Sequence, residues 1–158
     1  MLTRKSEAEK EAAGYETAKD HSVEKEAIRQ KGADDGGKVV RLSPLGKTWI
    51  LDLDGTIVKH NGYKIDGYDQ FLDGAKEFLN GIGDGDLVIF VTSRTEEYAG
   101  ITEQFLRENG VRYDLIVYGA PYGERIVVND CKPSGLRTAV AVNTVRDEFM
   151  QHHFLICE

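Results

Sequence analysis

The sequence is short of cysteine, of positive charge and of long apolar runs, and each shortage removes a class of protein. Its two cysteines, Cys131 and Cys157, lie far apart and in no metal-binding spacing. A disulfide framework is therefore not expected, and a reducing cytosol fits best. No apolar run reaches membrane-spanning length. The opening residues, Met1-Leu2-Thr3-Arg4-Lys5-Ser6-Glu7, turn polar at once and lack the apolar segment of a secretory signal. Lysine and arginine number 20 against 27 aspartates and glutamates, a formal net charge of -7. An excess of carboxylates repels phosphate backbones, which argues against a nucleic-acid substrate. The expected setting is cytoplasmic, with no membrane partner.

What is present suits one soluble domain. The 158 residues are 41% hydrophobic and 30% charged, enough to bury a single core. Residues 1–37 differ from the rest. They are rich in Glu, Lys and Ala and read as a polar helical extension that buries little. It ends at the Asp34-Asp35-Gly36-Gly37 breaker, and the domain proper takes residues 38–158. There, short apolar runs alternate with amphipathic helices. Thr48–Leu53, Asp86–Val91, Leu115–Tyr118, Arg125–Val128 and Thr138–Val142 read as strands. Phe71, Leu72, Ala75, Phe78, Leu79 and Ile82 mark one helix. Tyr98, Ile101, Phe105 and Leu106 mark another, closing at Asn109-Gly110. The tail after Asn143 reads as a short helix. This alternation predicts a three-layer, doubly wound α/β fold, Rossmann-like, with a mainly parallel sheet of about five strands. Ligands of such folds sit outside the carboxyl ends of the strands.

Those ends carry the chemistry. The first strand runs into Asp52-Leu53-Asp54-Gly55-Thr56. Gly55 permits a turn that brings the second carboxylate over the site. One carboxylate can then attack phosphorus while the other moves protons. The second strand ends in Thr92-Ser93-Arg94, a hydroxyl-bearing phosphate cradle before a helix. Ser93 also stands in capping-box spacing to Glu96, and capping alone would explain it. The fourth strand ends in Asn129-Asp130. Asp52 and Asp130 could supply the one or two carboxylates that usually hold Mg²⁺.

Asp52-Leu53-Asp54-Gly55-Thr56, the strand ending in Thr92, and Asn129-Asp130 resemble, in order, the first, second and fourth motifs of the haloacid dehalogenase superfamily. The likeness spans roughly residues 46 to 143. It implies that Asp52 forms an aspartyl-phosphate, and that Asp54 protonates the leaving oxygen and then activates water. It also implies that Thr92 binds the phosphoryl group. Mg²⁺ would rest on the Asp52 carboxylate, the Asp54 carbonyl and Asp130. The family's third motif supplies a lysine, and no lysine lies between Leu106 and Asp130. Arg125 and Arg94 are the nearest cations. Only a short loop, residues 57–68, follows the first motif, so no large cap domain is expected. Residues 121–135 also resemble small phosphatase domains of capsule and nucleotide-sugar biosynthesis, which favours a sugar phosphate.

Two other readings stay open. One is a catalytically inactive module that binds a partner enzyme. The other is a phosphatase of polynucleotide ends. An open site also leaves room for a homo-oligomer in which one subunit covers the other's site. His60, Asn61, Tyr63 and Lys64 either line a substrate pocket or form a polar loop. Cys131 reads as a small buried filler.

Overall fold

The computed structural model describes residues 39–157, so the extension expected over residues 1–37 lies outside the described residues. Three strands form one parallel sheet in the order β2 (Thr48–Leu51), β3 (Leu87–Val91), β4 (Leu115–Val117). Parallel neighbours need a crossover, and helices supply both. A one-turn helix α1 (Gly62–Ile65) and then α2 (Ala75–Asn80) link β2 to β3. A 3₁₀ turn (Glu96–Tyr98) running into α3 (Ala99–Glu108) links β3 to β4. A separate parallel pair joins β1 (Val39–Leu42) to β5 (His153–Ile156). All three strands of the larger sheet therefore present their carboxyl ends on one side, the arrangement expected of an α/β fold.

Strand alternation decides what is inside. In β3, Val88 and Phe90 are buried, and Thr92 and Arg94 continue their phase beyond the strand end. In β2, Trp49 and Leu51 pack against the core and Leu53 keeps their phase into full burial. The helices add Ala75, Leu79 and Leu106 to the same cluster. Helix α3 ends as its Asn109-Gly110 signal predicts. Gly110 adopts φ 71°, its N–H donates to the Arg107 carbonyl, and the Val111 N–H reaches the Leu106 carbonyl. This Schellman closure satisfies two terminal carbonyls and turns Val111 into the core.

The sheet is smaller than the sequence suggests. Arg125–Val128 and Thr138–Val142 form no strand, and the stretch between Ala120 and Gln151 is almost wholly irregular. Ile126 and Val128 are 83% and 91% exposed. An apolar β-branched run becomes a strand only where a neighbour pairs with it and covers it, and neither happens here among the described residues. The second sheet face is also open. Ile50, Leu87, Leu115 and Val117 share it through the register Ile50↔Ile89 and Ile89↔Leu115, and all four are exposed. Among the described residues the larger sheet thus has three strands, with one face exposed. The tail is a turn and then β5, not a helix. Phe154 of β5 packs its ring edge-on against Trp49, with centroids 5.1 Å apart, and this aromatic contact draws the tail onto the domain.

Candidate active site

The site grows from the end of β2. Directly after the strand, Leu53 sinks into the core and its carbonyl accepts the N–H groups of Thr56, Ile57 and Val58 at 3.2, 2.9 and 3.0 Å. The loop closes when the Gly55 N–H donates to the Val58 carbonyl at 2.7 Å. Gly55 takes φ 81°, a left-handed value that a side chain would strain. Asp52 and Asp54 project from this tight loop on either side of Leu53.

The two carboxylates have different surroundings. Asp52 accepts the Thr56 hydroxyl at 3.1 Å. Burial raises its pKa above the ordinary carboxylate value. The Thr56 hydroxyl, the Leu53 N–H and the charge of Arg125 oppose that rise, and nearby Asp54 adds to it. Asp54 instead lies in a bidentate pair with Arg94. Nε donates to Oδ2 at 2.7 Å and Nη2 to Oδ1 at 2.9 Å. The Asn61 N–H also reaches Oδ1, at 3.3 Å.

Arg94 is fully occupied. Beyond Asp54, Nη1 and Nη2 each donate to Asp69 at 2.7 Å, and Nη1 also donates to the Thr102 hydroxyl at 2.9 Å. These contacts use all five guanidinium N–H donors. One face lies 4.1 Å from the Tyr63 ring centroid. Burial works against the charge, but the bonds to Asp69 and Asp54 outweigh it and hold Arg94 above its ordinary pKa. Arg94 therefore has no donor left for phosphate, and it serves Asp54 instead.

The other residues singled out by sequence lie as follows. Thr92 is fully buried, and its hydroxyl accepts the Arg94 N–H at 3.1 Å. Its backbone is tied to the strand ends through Val117 and Ala120. Ser93 caps no helix, because the 3₁₀ turn starts after Thr95, whose hydroxyl bonds Glu97. Arg125 is exposed and donates to the carbonyls of Pro121 and Gly123, while its charge is felt at Asp52. Asp130 is exposed and pairs with Lys132 at 3.6 Å. The strand expected to end at it is not formed. Among the described residues no three His, Cys, Asp or Glu side chains gather as a metal-holding group. The side chains of Asp52, Asp54 and Asp130 thus form no such three-carboxylate group. Cys131, expected to be buried, is exposed.

Several residues join the site without having been expected there. Asp69 and Thr102 complete the Arg94 cluster, and no short spacing ties them to it. Arg146 and Asp147 lie over the loop. The Asp147 N–H donates to the Gly55 carbonyl at 2.9 Å, and the Asp147 carboxylate accepts the His60 N–H at 2.6 Å. Tyr63, expected either in a substrate pocket or in a polar loop, is buried under Arg94. A groove of about 550 Å³ is lined by Lys59, Gln70, Phe71, Asp73, Asp147 and Phe149 among others, and includes neither Asp52 nor Asp54.

No family model and no curated protein matches the chain. Among solved structures, a chain of the Pnkp1/Rnl/Hen1 RNA repair complex matches at 26% identity and a TM-score of 0.41, over 59% of this chain and 32% of that one. A chain from a second structure of the Pnkp1/Rnl/Hen1 complex matches at 27% identity and the same TM-score of 0.41, over 60% and 33%. The chain thus spans about a third of the length of those proteins. A likeness at that score assigns neither fold nor activity.

Proposed function

We propose that the chain is a phosphohydrolase of the haloacid dehalogenase kind, working through a phosphoryl group carried on Asp52. The observation that carries this reading is the division of labour between two carboxylates on one loop. Among the described residues, Asp52 is held only by the Thr56 hydroxyl and the Leu53 N–H. Asp54 is fixed beside it by a saturated arginine.

In the first step an Asp52 oxygen bonds to phosphorus and the ester P–O bond breaks. The electron pair leaves with the alcohol oxygen, which takes a proton by way of Asp54. In the second step water attacks phosphorus, gives its proton to Asp54, and the acyl-phosphate P–O bond returns its electron pair to Asp52. Arg125 is a cation whose charge favours the ionised Asp52 and could offset phosphoryl charge there. Mg²⁺, when bound, would rest on the Asp52 carboxylate, the Asp54 carbonyl and Asp130 and offset phosphoryl charge, and no step above runs through it.

A phosphorylated sugar or sugar-nucleotide precursor is the substrate class we favour, on the resemblance of residues 121–135. Phosphate release from an aryl phosphate, a panel of sugar phosphates and phosphorylated oligonucleotides, with and without Mg²⁺, tests the reading. Turnover in the wild type that is lost in Asp52→Asn supports it. No turnover on any substrate shifts the reading to a partner-binding module. Turnover confined to oligonucleotides shifts it to polynucleotide ends.

A further inference from the structure

We propose that Asp69 is a positioning residue for the reaction: acting through Arg94, it fixes the orientation of the Asp54 carboxylate. The proposal rests on the phosphohydrolase reading and concerns a residue that touches neither substrate nor nucleophile. The side chains of Arg94 and Asp69 are only 1% and 3% accessible, while that of Asp54 is 16% accessible. The cluster is therefore graded. Asp69 is sealed inside, Arg94 links the two, and Asp54 alone reaches the surface where a substrate can arrive.

Arg94 has one way to lie. Its Nε–Nη2 edge grips Asp54, its Nη1–Nη2 end grips Asp69, Nη1 also binds Thr102, and Tyr63 backs its face. Thr102 is itself held, because its hydroxyl donates to the Tyr98 carbonyl at 2.8 Å. A planar fork fixed at its Nη1–Nη2 end and on one face transmits its orientation to the carboxylate on its Nε–Nη2 edge, which a lysine could not do.

Charge makes the same point. One carboxylate neutralises one guanidinium. Here two carboxylates converge on it, which gathers a surplus negative charge around a buried cation. Desolvating ions is costly, and a pair or an apolar contact would serve stability as well or better. The second carboxylate is accounted for if Arg94 must stay in place when Asp54 exchanges a proton and its grip on Arg94 weakens.

The test uses the full chain and phenyl phosphate, whose leaving group needs a proton. Asp69→Asn is measured alone and in an Asp54→Asn background, with thermal unfolding alongside. In the Asp54-containing protein, kcat is expected to fall about 10- to 100-fold with KM within about twofold, the scale of loss that misplacing a catalytic group produces. In the Asp54→Asn background the same substitution is expected to have little further effect, because the path to the chemistry is already cut. Asp69→Glu is expected to recover part of kcat. Equal losses in both backgrounds, or an unchanged kcat, overturn the proposal. Should Asp69→Asn fail to fold, Thr102→Val loosens the same clamp with every charge kept. A severalfold fall in kcat at constant KM supports positioning, and no change overturns it. Wild-type turnover with an insensitive clamp removes this inference alone. Absence of wild-type turnover removes the parent reading and the inference with it.

Discussion

Arg94 and Arg125 show how far position governs what one side chain can do. Both stood as candidates for the missing third-motif lysine. Arg94 spends all five donors inside the protein, whereas Arg125 spends Nη1 on two loop carbonyls. Arg125→Ala is accordingly expected to raise KM and lower kcat/KM with little effect on stability, measured by steady-state kinetics and urea unfolding. Gly55 is the backbone counterpart. A Cβ there would stand 3.0 Å from Cγ of Arg146, on a residue at φ 81°. Gly55→Ala is expected to cost about 1–3 kcal/mol in urea unfolding. Tyr118 gives a pH signature. Its hydroxyl is buried with no hydrogen-bond partner among the described residues. Burial, with the charge of Glu103 adding to it, pushes its pKa up to about 12. A folded value above the ordinary 10 means the contribution is complete below pH 10 and is lost as pH rises through about 12. Tyr118→Phe should therefore flatten the alkaline loss of stability and cost little at neutral pH, since it removes an unpaired polar group. Asp52, Asp54 and Thr92 were legible because their spacing within short strand-end motifs is itself the signal. Asp69 was not, because 25 residues separate it from Arg94 and nothing local marks the pairing.

Among the elements, β2 and β3 are tied at their starts by Asp86. Its carboxylate accepts the Lys47 N–H at 2.9 Å and the Trp49 indole at 2.8 Å. Desolvation would raise its pKa, but the Trp49 and Lys47 bonds outweigh it and hold the group below the ordinary 3.8. Its contribution is thus present above pH 3.8 and lost as pH falls through the lower folded value. Asp86→Ala should lower urea stability at neutral pH and reduce the loss between pH 4 and the acid limit, with Trp49 fluorescence as the probe. The helix expected from Phe71 to Ile82 begins only at Ala75 because Gly74 sits at φ 84°, outside helical geometry. Glycine and hydrophobic spacing announced α3 and its end. They could not announce the unpaired fate of Arg125–Val128, since a strand depends on neighbours far along the chain.

At the scale of the whole molecule, the domain is an α/β unit built from parallel strands, with no helix among the described residues long and apolar enough to cross a membrane. One face of its sheet carries the core. Leu106, fully buried beside Phe90, is a keystone of that core, and Leu106→Ala is expected to cost about 2–5 kcal/mol in urea unfolding. The parallel sheet and the placing of Asp52 and Asp54 at a strand end were legible from alternation and motif order, whereas the strand expected before Asp130 is not formed. The β1–β5 pairing was not, because its strands lie over a hundred residues apart and are joined by register rather than by pattern. Everything proposed about function depends on whether the loop after β2 accepts phosphate. The most direct measurement is acid-quenched mass spectrometry of the peptide bearing Asp52 during turnover of an aryl phosphate. The expected result is an acid-stable, hydroxylamine-labile phosphoryl adduct on Asp52, absent in Asp52→Asn together with turnover. Turnover that persists in Asp52→Asn would contradict it.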